Sequence, residues 1–229
     1  IRRQNGALGF INRITRRFVN VDDCMLMTDG INETLRSLQG RCGETGQLSV
    51  RYGINTSDVL IQPELKNDEI PLKSGQTHYR EELLGSMFRV ASPSFFQVNT
   101  RQAEQLALLL RSRLELTGSD VLVDAYAGVG TFAVLLAPYV RRAIAVEESE
   151  AAVRDAAFNT RRLENIELRQ GKTEDTLGAL DKPDAAVLDP PRAGCQPQVL
   201  EVVARWASRR TVYVSCDPET LARDLRVLC

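Results

Sequence analysis

The chain has 229 residues, of which 43% are apolar, and a formal net charge of −1. That length allows one large domain or two smaller ones, each with an ordinary hydrophobic core. No apolar run approaches the roughly 20 residues that a membrane-spanning helix needs, and the arginines at the start are not followed by the apolar stretch of a signal peptide. We therefore expect a cytoplasmic protein without a membrane partner, and the near-neutral charge does not by itself indicate nucleic-acid binding.

The cysteine and histidine content limits the metal and disulfide chemistry that is possible. Five cysteines without a C-x-x-C pair argue against a disulfide framework and against a self-contained zinc site. The single histidine excludes histidine-based triads and multi-histidine metal sites. We predict no metal site, and we predict that Cys24, Cys42 and Cys195 are ordinary core or loop residues.

The first part of the chain, residues 1–92, has a pattern of short strands, turns and one helix that is typical of a small α+β domain. Residues 1–21 contain no acidic residue and five arginines: Arg2, Arg3, Arg13, Arg16 and Arg17. Such a segment is either a solvated arm or a phosphate-facing strip, and composition favours the arm. Short alternating runs at 48–52 and 59–61 predict antiparallel strands, and we predict one helix over about 28–38.

From Pro93 onwards, helices and strands alternate, which is typical of a parallel doubly wound sheet. The predicted strands cover 120–124, 143–146, 166–169, 185–188 and 211–215. The predicted helices begin at Asn99 or Thr100 and then cover 131–137, 150–163 and 198–207, and a last helix starts at Asp217-Pro218-Glu219. We therefore predict an α/β fold with a Rossmann-like, mostly parallel sheet over 93–229. Because the sequence stops at Cys229 without a terminating glycine, we expect this fold to be cut after its fifth strand.

A glycine-rich loop follows the first strand of the predicted sheet. The strand delivers Asp124 to its end, and Gly128 and Gly130 let the backbone turn closely around a ligand. The spacing also fits a dinucleotide fingerprint, so a nicotinamide cofactor stays open. Asp124 favours S-adenosylmethionine, because an acid repels a pyrophosphate but attracts a sulfonium and an ammonium group. Glu147 ends the next strand, where it either accepts two ribose hydroxyls or is a solvated strand-end acid.

Cys216 lies between the last predicted strand and the last predicted helix. We expect its sulfur at the same sheet edge as Asp124 and Asp189, with the helix N-terminus favouring the thiolate, although a buried structural thiol is the alternative. A thiolate that adds to C6 of a pyrimidine makes C5 nucleophilic enough to attack a sulfonium methyl group. Asp189, held by two prolines, can hydrogen-bond the ring edge, unless Asp-Pro-Pro is only a rigid turn.

Several segments, taken in order, closely resemble the RNA uracil-C5 methyltransferases. They are residues 94–99, 124–130, 146–147, 188–194 and 213–218, and the resemblance covers 93–229, whereas the first 92 residues match the family's central domain more loosely. The resemblance implies the class I S-adenosylmethionine-dependent fold and methylation of a uridine at C5 in tRNA or 23S rRNA. It also implies a covalent adduct between the cysteine and C6. No obligate protein partner is expected.

The resemblance also assigns residues to roles. Cofactor-contacting positions fall on Gln97, Tyr126, Thr131, Glu147 and Asp189, which join Asp124, Gly128 and Gly130 of the glycine-rich loop. Cys216 falls on the nucleophile, and Asp189 is expected at the catalytic site as well. Arg192 would lie near the RNA.

Three departures from the family pattern are visible. The family's proton-abstracting glutamate lies beyond the nucleophile in a segment that this sequence does not include, and we interpret Glu219 as a helix-capping acid. The usual N-terminal RNA-binding β-barrel is also absent. Cys24 resembles the last of four iron–sulfur ligands, but one thiolate cannot hold a cluster, so a cluster would require a longer chain. We therefore expect a catalytic part of a longer protein, which binds cofactor but turns over poorly.

Three other functions stay open. An amino-group methyltransferase normally has an aromatic residue after Asp-Pro-Pro, where this chain has Arg192. A cytosine-C5 methyltransferase shares the thiol chemistry but usually carries a second cysteine where Pro191 and Arg192 stand. A non-catalytic module that only binds RNA or S-adenosylmethionine is disfavoured by an intact Cys216.

Overall fold

The computed structural model describes residues 1–4, 7–43 and 45–229, which form two compact units. The first unit comprises 1–82 and 87–92, and the second comprises 83–86 and 93–229. Among the described residues, no helix is both long enough and apolar enough to cross a membrane.

The first unit combines short antiparallel strands with one helix. Its elements are β1 (Arg2–Gln4), β2 (Ala7–Ile11), β3 (Phe18–Asn20), α1 (Asp29–Leu38), β4 (Ser49–Tyr52), β5 (Val59–Gln62), β6 (His78–Leu83) and β7 (Ser86–Ala91). The turn between β6 and β7, residues 83–86, belongs to the second unit. Strands β1, β2 and β3 form one antiparallel sheet, while β4 pairs with β5 and β6 pairs with β7. A core that includes Leu8, Leu35, Leu38 and Ile61 lies among them.

The prediction of a solvated arm over residues 1–21 is wrong. The segment forms the β1–β2–β3 sheet, in which Leu8 is fully buried and Gly9 pairs with both Arg2 and Asn20. The strands are three to five residues long, so a single buried leucine fixes the sheet and leaves little hydrophobic periodicity to detect.

The second unit is a five-stranded parallel sheet with helices on both faces. Its elements are α2 (Thr100–Leu114), β8 (Val121–Asp124), α3 (Thr131–Leu136), β9 (Arg142–Glu147), α4 (Glu150–Thr160), β10 (Ile166–Gln170), α5 (Thr173–Thr176), β11 (Ala185–Leu188), α6 (Pro197–Trp206), β12 (Arg210–Tyr213) and α7 (Pro218–Leu228). The strand order is β10-β9-β8-β11-β12. This confirms the predicted α/β, doubly wound fold.

Alternate side chains of the central strands enter two different cores. Val123 and Leu188 pack with residues of α6, including Val199 and Trp206, on one face. Leu122 packs on the other face with helical residues of α2 and α3. Because helices cover both faces, the strands read as continuous apolar runs, which is the pattern that a buried parallel sheet requires.

Most predicted boundaries agree with the structure to within one residue, and two elements end two or three residues earlier than predicted. Asn99 caps α2 by accepting a hydrogen bond from Gln102 N at 3.1 Å. Helix α4 stops at Thr160, three residues before the predicted end, and β12 stops at Tyr213, before the predicted Ser215. The early end of β12 matters for the site, because it places Ser215 and Cys216 in a connecting loop.

Candidate active site

The carboxyl ends of β8, β9 and β11 lie side by side. Asp124, the last residue of β8, pairs in register with Ala145 of β9 and Val187 of β11. Glu147 and Asp189 therefore follow two residues beyond that row, roughly 7 Å further along the strand direction. The strand order reverses between β8 and β11, and open α/β sheets bind ligands in the crevice at such a reversal.

The loop after β8 is tied to both neighbouring strands. Its backbone donates from Ala125 N to Val187 O at 3.0 Å and from Ala127 N to Val146 O at 2.9 Å. Gly128 and Gly130 adopt φ values of +56° and +86°, in the left-handed region that favours glycine. A Cβ on Gly128 would meet no atom within 4 Å, so the loop presents open space at this residue.

Asp124 is a fully buried carboxyl group, and only one of its two oxygens has a hydrogen bond of ordinary geometry among the described residues. Its Oδ2 accepts a hydrogen bond from Ala133 N at 3.1 Å, and the N–H of Tyr126 also favours the ionised form. Oδ1 is buried without a hydrogen bond of ordinary geometry among the described residues. Burial and, to a smaller extent, the negative charge of Asp189 raise the pKa of Asp124 to about 7. A cationic ligand group would satisfy both the orphaned oxygen and the charge.

Glu147 anchors the glycine-rich loop. Its Oε2 accepts a hydrogen bond from Gly128 N at 2.8 Å, and its Oε1 accepts one from Ser149 N at 2.7 Å. These bonds hold the carboxylate against the loop, and its contact with a ribose stays a prediction. A carboxylate has about four acceptor positions, so two remain for a ligand.

Asp189 and Arg192 occupy the turn after β11. Burial raises the pKa of Asp189 to about 6, and the following Pro190 is buried. Gly194 N donates to Pro191 O at 2.8 Å, which closes the turn and leaves Arg192 exposed. Hydrogen bonds from Thr220 lower the pKa of Asp217, and the positive charge of Arg192 adds to that effect. The turn after β11 and the loop after β12 therefore lie within electrostatic reach of each other.

Cys216 lies in the loop between β12 and α7, with an exposed side chain. Ser215 Oγ donates to Asp217 O at 2.9 Å, and Asp217 N donates to Ser215 Oγ at 3.1 Å, so reciprocal bonds bracket the cysteine. Asp217 in turn caps α7 by accepting from Glu219 N and Thr220 N. The alternative of a buried structural thiol is therefore wrong for Cys216.

The other predicted cofactor positions lie on three different segments. Tyr126 is half-buried in the loop after β8, and burial raises the pKa of its hydroxyl group. Thr131 is the first residue of α3, and Gln97 is half-buried in the segment before α2. Among the described residues, no hydrogen bond joins Gln97 or Thr131 to Asp189 or Cys216, so their contacts stay predictions.

A buried network that the sequence reasoning missed joins the loops on either side of the site. Asp224 of α7 is fully buried and accepts from Tyr213 Oη at 2.6 Å and from Cys195 N at 2.8 Å. Arg223 donates to Asp224 and to Ala193 O, each at 2.8 Å. Burial alone would raise the pKa of Asp224, but these hydrogen bonds hold it below its usual range. The network fixes the turn that carries Arg192 against the strand and helix that flank Cys216.

We expect Tyr213→Phe to destabilise the protein by about 2 kcal/mol, because a hydrogen bond to a buried carboxylate is lost. In a chain of this size that loss corresponds to a fall of about 4–8 °C in the midpoint of thermal unfolding. Tyr139→Phe is the matched control, since its hydroxyl group accepts a hydrogen bond from Arg111 at the surface, at 2.7 Å. Equal midpoints for the two variants would show that the network does not hold the loops.

Cys24 is joined to α1 by two hydrogen bonds. Its backbone N–H donates to Asn32 Oδ1 at 3.0 Å, and Asn32 Nδ2 donates back to Cys24 O at 3.1 Å. Within residues 1–4, 7–43 and 45–229, no group of three or more His, Cys, Asp or Glu residues has a geometry that could hold a metal ion. The other two cysteines expected to be ordinary, Cys42 and Cys195, are buried.

Comparisons with known proteins point in one direction. The model of the tRNA (uracil-5-)-methyltransferase family matches residues 78–229. An uncharacterized RNA methyltransferase of Synechocystis is 33% identical over 96% of this chain and 59% of its own length. One of Gloeobacter violaceus is 41% identical over 87% of this chain and 43% of its own length. The chain thus spans about half the length of these curated relatives.

The fold is also similar to that of a solved structure, the tRNA (uracil-54, C5)-methyltransferase of Pyrococcus abyssi in complex with S-adenosyl-L-homocysteine. The superposition has a TM-score of 0.79 and covers 99% of this chain and 67% of that one. The sequence identity is 23%, so this likeness concerns the fold alone.

Proposed function

The chain belongs to the tRNA (uracil-5-)-methyltransferase family, and from this premise we propose that it transfers a methyl group from S-adenosylmethionine to C5 of a uridine in RNA. The proposed substrate is tRNA or 23S rRNA. Cys216 is the proposed nucleophile, and the cofactor is proposed to bind in the crevice between the loops after β8 and β11.

The proposed cofactor site contains acceptor oxygens that the groups of S-adenosylmethionine can pair with. S-adenosylmethionine, when bound, supplies an electrophilic methyl carbon together with two positive charges. The buried, orphaned oxygen of Asp124 suits such a cation, and the free acceptor positions of Glu147 suit hydroxyl groups. The residues proposed to hold the cofactor are Gln97, Asp124, Tyr126, Gly128, Gly130, Thr131, Glu147 and Asp189.

The proposed role of Cys216 is to activate the uracil ring. Its thiolate adds to C6, and the electrons of the C5–C6 double bond move towards O4. C5 becomes the nucleophile that takes the methyl group as the sulfur–methyl bond breaks and S-adenosylhomocysteine leaves with the electron pair. A base then removes the C5 proton, and the C6–S bond breaks, which restores the double bond and the thiolate. Asp189, with a pKa near 6, is proposed to orient the ring through a hydrogen bond.

The observation that carries this proposal is the exposure of Cys216 in a loop held by Ser215 and Asp217. A nucleophile must reach its substrate in a fixed geometry, and these bonds fix the backbone on both sides of the thiol. Arg192, whose charge acts on Asp217, places a cation beside that loop, where it is proposed to contact an RNA phosphate.

The proposal is tested by identifying the methylated nucleoside. Excess protein is incubated with methyl-labelled S-adenosylmethionine and unmodified transcripts of tRNA and 23S rRNA. We expect the label in 5-methyluridine, or in a protein–RNA adduct that survives denaturation. Transcripts made with 5-methyluridine in place of uridine are the control and should take up no label, because C5 is blocked.

The alternatives predict different outcomes in the same experiment. A cytosine-C5 methyltransferase would label cytosine, and an amino-group methyltransferase would label an exocyclic amine in both kinds of transcript. A non-catalytic binding module would leave all the RNA unlabelled. Each of these results would overturn the proposal.

A further inference from the structure

One face of the β1–β2–β3 sheet is open and lined by polar, aromatic and basic side chains. The strand register puts Gln4, Ala7, Gly9, Ile11, Phe18 and Asn20 on this face, which we call the cleft face. Leu8 lies on the opposite face, where it enters the core of the first unit. The cleft face is therefore turned away from that core.

The cleft face forms a concave site. A cleft of about 770 Å³ is lined by its side chains together with Arg16 and Arg17 from the β2–β3 turn. Gly9 lies in the centre of the face, and a Cβ there would collide with Val19 O and the ring of Phe18. Gly9 thus lets the ring of Phe18 and the neighbouring strand pack closely across it, beside a cleft that is open to solvent.

The turn that carries the two arginines is well ordered by its own hydrogen bonds. Asn12 Oδ1 accepts from Ile14 N at 2.9 Å and from Thr15 N at 2.8 Å, and Arg16 N donates to Asn12 O at 2.9 Å. Arg16 holds a φ of +58°, and both arginine side chains are exposed. The turn therefore fixes the backbone from which Arg16 and Arg17 line the cleft.

The segment that forms the cleft face carries charge of one sign, and Asp22, which follows it, is an acid whose partners Asn20 and Gln39 are neutral. Among the described side chains of residues 1–21 there are four arginines and no acid, and the side chain of Arg3 lies outside what the structure describes. The next acids along the chain have partners of their own. Asp22 accepts from Asn20 Nδ2 at 3.1 Å, and Asp23 pairs with Arg36 at 3.5 Å.

We propose that the cleft face binds an unpaired segment of the substrate RNA, with Arg16 and Arg17 on its phosphates. This rests on the proposed function, because it assigns a second contact to the same substrate. Single-stranded RNA is bound where basic groups follow the backbone and where aromatic and amide side chains meet the bases. Phe18 and Gln4 supply the latter groups in the cleft.

The test is the salt dependence of RNA binding by the whole chain. The probe is a fluorescent 12-nucleotide RNA of adenosine and cytidine, which contains no uridine for Cys216 to attack. We expect the double variant Arg16→Gln/Arg17→Gln to bind about tenfold more weakly at 0.1 M salt. The slope of log affinity against log salt should fall by about 1.4, because each single-strand phosphate contact contributes about 0.7.

The matched control is Arg41→Gln/Lys73→Gln, which removes the same charge from exposed positions of the same unit. Wild-type affinity and slope in the cleft variant would overturn the inference, and so would an equal loss in the control. In a separate reaction with saturating 5-fluorouridine RNA, the cleft variant should still form the Cys216 adduct. Absence of that adduct in the wild-type protein would instead count against the proposed function, whatever the salt slopes show.

Discussion

Cys216→Ala is expected to lower the rate of methyl transfer by about 10⁴-fold or more, because removal of a covalent nucleophile leaves only binding and orientation. Without addition at C6, C5 of uracil has almost no nucleophilic character. Binding of the cofactor should be unchanged, because the thiol is exposed in the loop after β12 while the proposed cofactor site is built on the loops after β8 and β11. Single-turnover rates and titration calorimetry with S-adenosylhomocysteine measure the two quantities separately.

Cys229→Ala is the matched control for this prediction, since Cys229 is the other exposed free cysteine. Its rate should equal that of the wild-type protein. Retention of more than about a tenth of the rate by Cys216→Ala would be incompatible with a covalent mechanism. A loss of cofactor binding in that variant would mean that the loop after β12 belongs to the cofactor site.

The affinity for S-adenosylmethionine is expected to rise by about 100-fold between pH 5 and pH 8. Burial and the charge of Asp189 raise the pKa of Asp124 to about 7, so below that pH the free protein holds a proton on this carboxyl group. A cationic ligand favours the ionised form, and binding must then release the proton. At two pH units below the pKa that release costs about 2.7 kcal/mol, which is a factor of about 100.

The same shift has the opposite effect on the stability of the free protein. Asp124 and Asp189 have raised pKa values, of about 7 and 6, so the native state binds more protons than the unfolded state between about pH 4 and pH 7. The stability that these two groups contribute is therefore present below about pH 4 and is lost as the pH rises through 6 and 7. Bound cofactor should compensate for this loss at neutral pH.

Asp124→Asn separates this explanation from others. The amide oxygen can still accept from Ala133 N, but the group no longer titrates, so the rise in affinity with pH should flatten. Asp181→Asn, which removes an exposed carboxylate of the same unit, should keep the rise. Methylthioadenosine, which lacks the amino acid and the sulfonium charge, should bind the wild-type protein with little pH dependence. A steep rise in Asp124→Asn would place the titrating group elsewhere.

The sequence is most informative about the sheet of the second unit, for a physical reason. A strand that is buried on both faces needs apolar side chains at nearly every position. The strands Val121–Asp124 and Ala185–Leu188 therefore appear in the sequence as short continuous apolar runs. Asp124 ends the first of these runs, Asp189 follows the second, and Cys216 lies three residues after the neighbouring parallel strand β12. Their gathering at one sheet edge could therefore be predicted without knowing the order of the strands.

The parts that were missed depend on contacts between distant segments. Asp224 interrupts the otherwise apolar positions Leu221, Leu225 and Leu228 of α7, and that irregularity was the available signal for a buried carboxylate. Its partners, Tyr213 and Cys195 N, lie 11 and 29 residues away, so no local pattern identifies them. The β1–β2–β3 sheet was missed because its short strands bury few side chains and their charge suggested an arm.

The central claim is that Cys216 forms a covalent bond with a uracil ring, and it is tested most directly by locating that bond. The protein is incubated with S-adenosylmethionine and RNA that contains 5-fluorouridine, whose C5 fluorine cannot leave as a proton does. The adduct is then digested with protease and nuclease and sequenced by mass spectrometry. We predict a methylated fluorouridine on the peptide that contains Cys216 and on no other cysteine; an adduct on a different residue, or transfer of the methyl group without any adduct, would contradict the account.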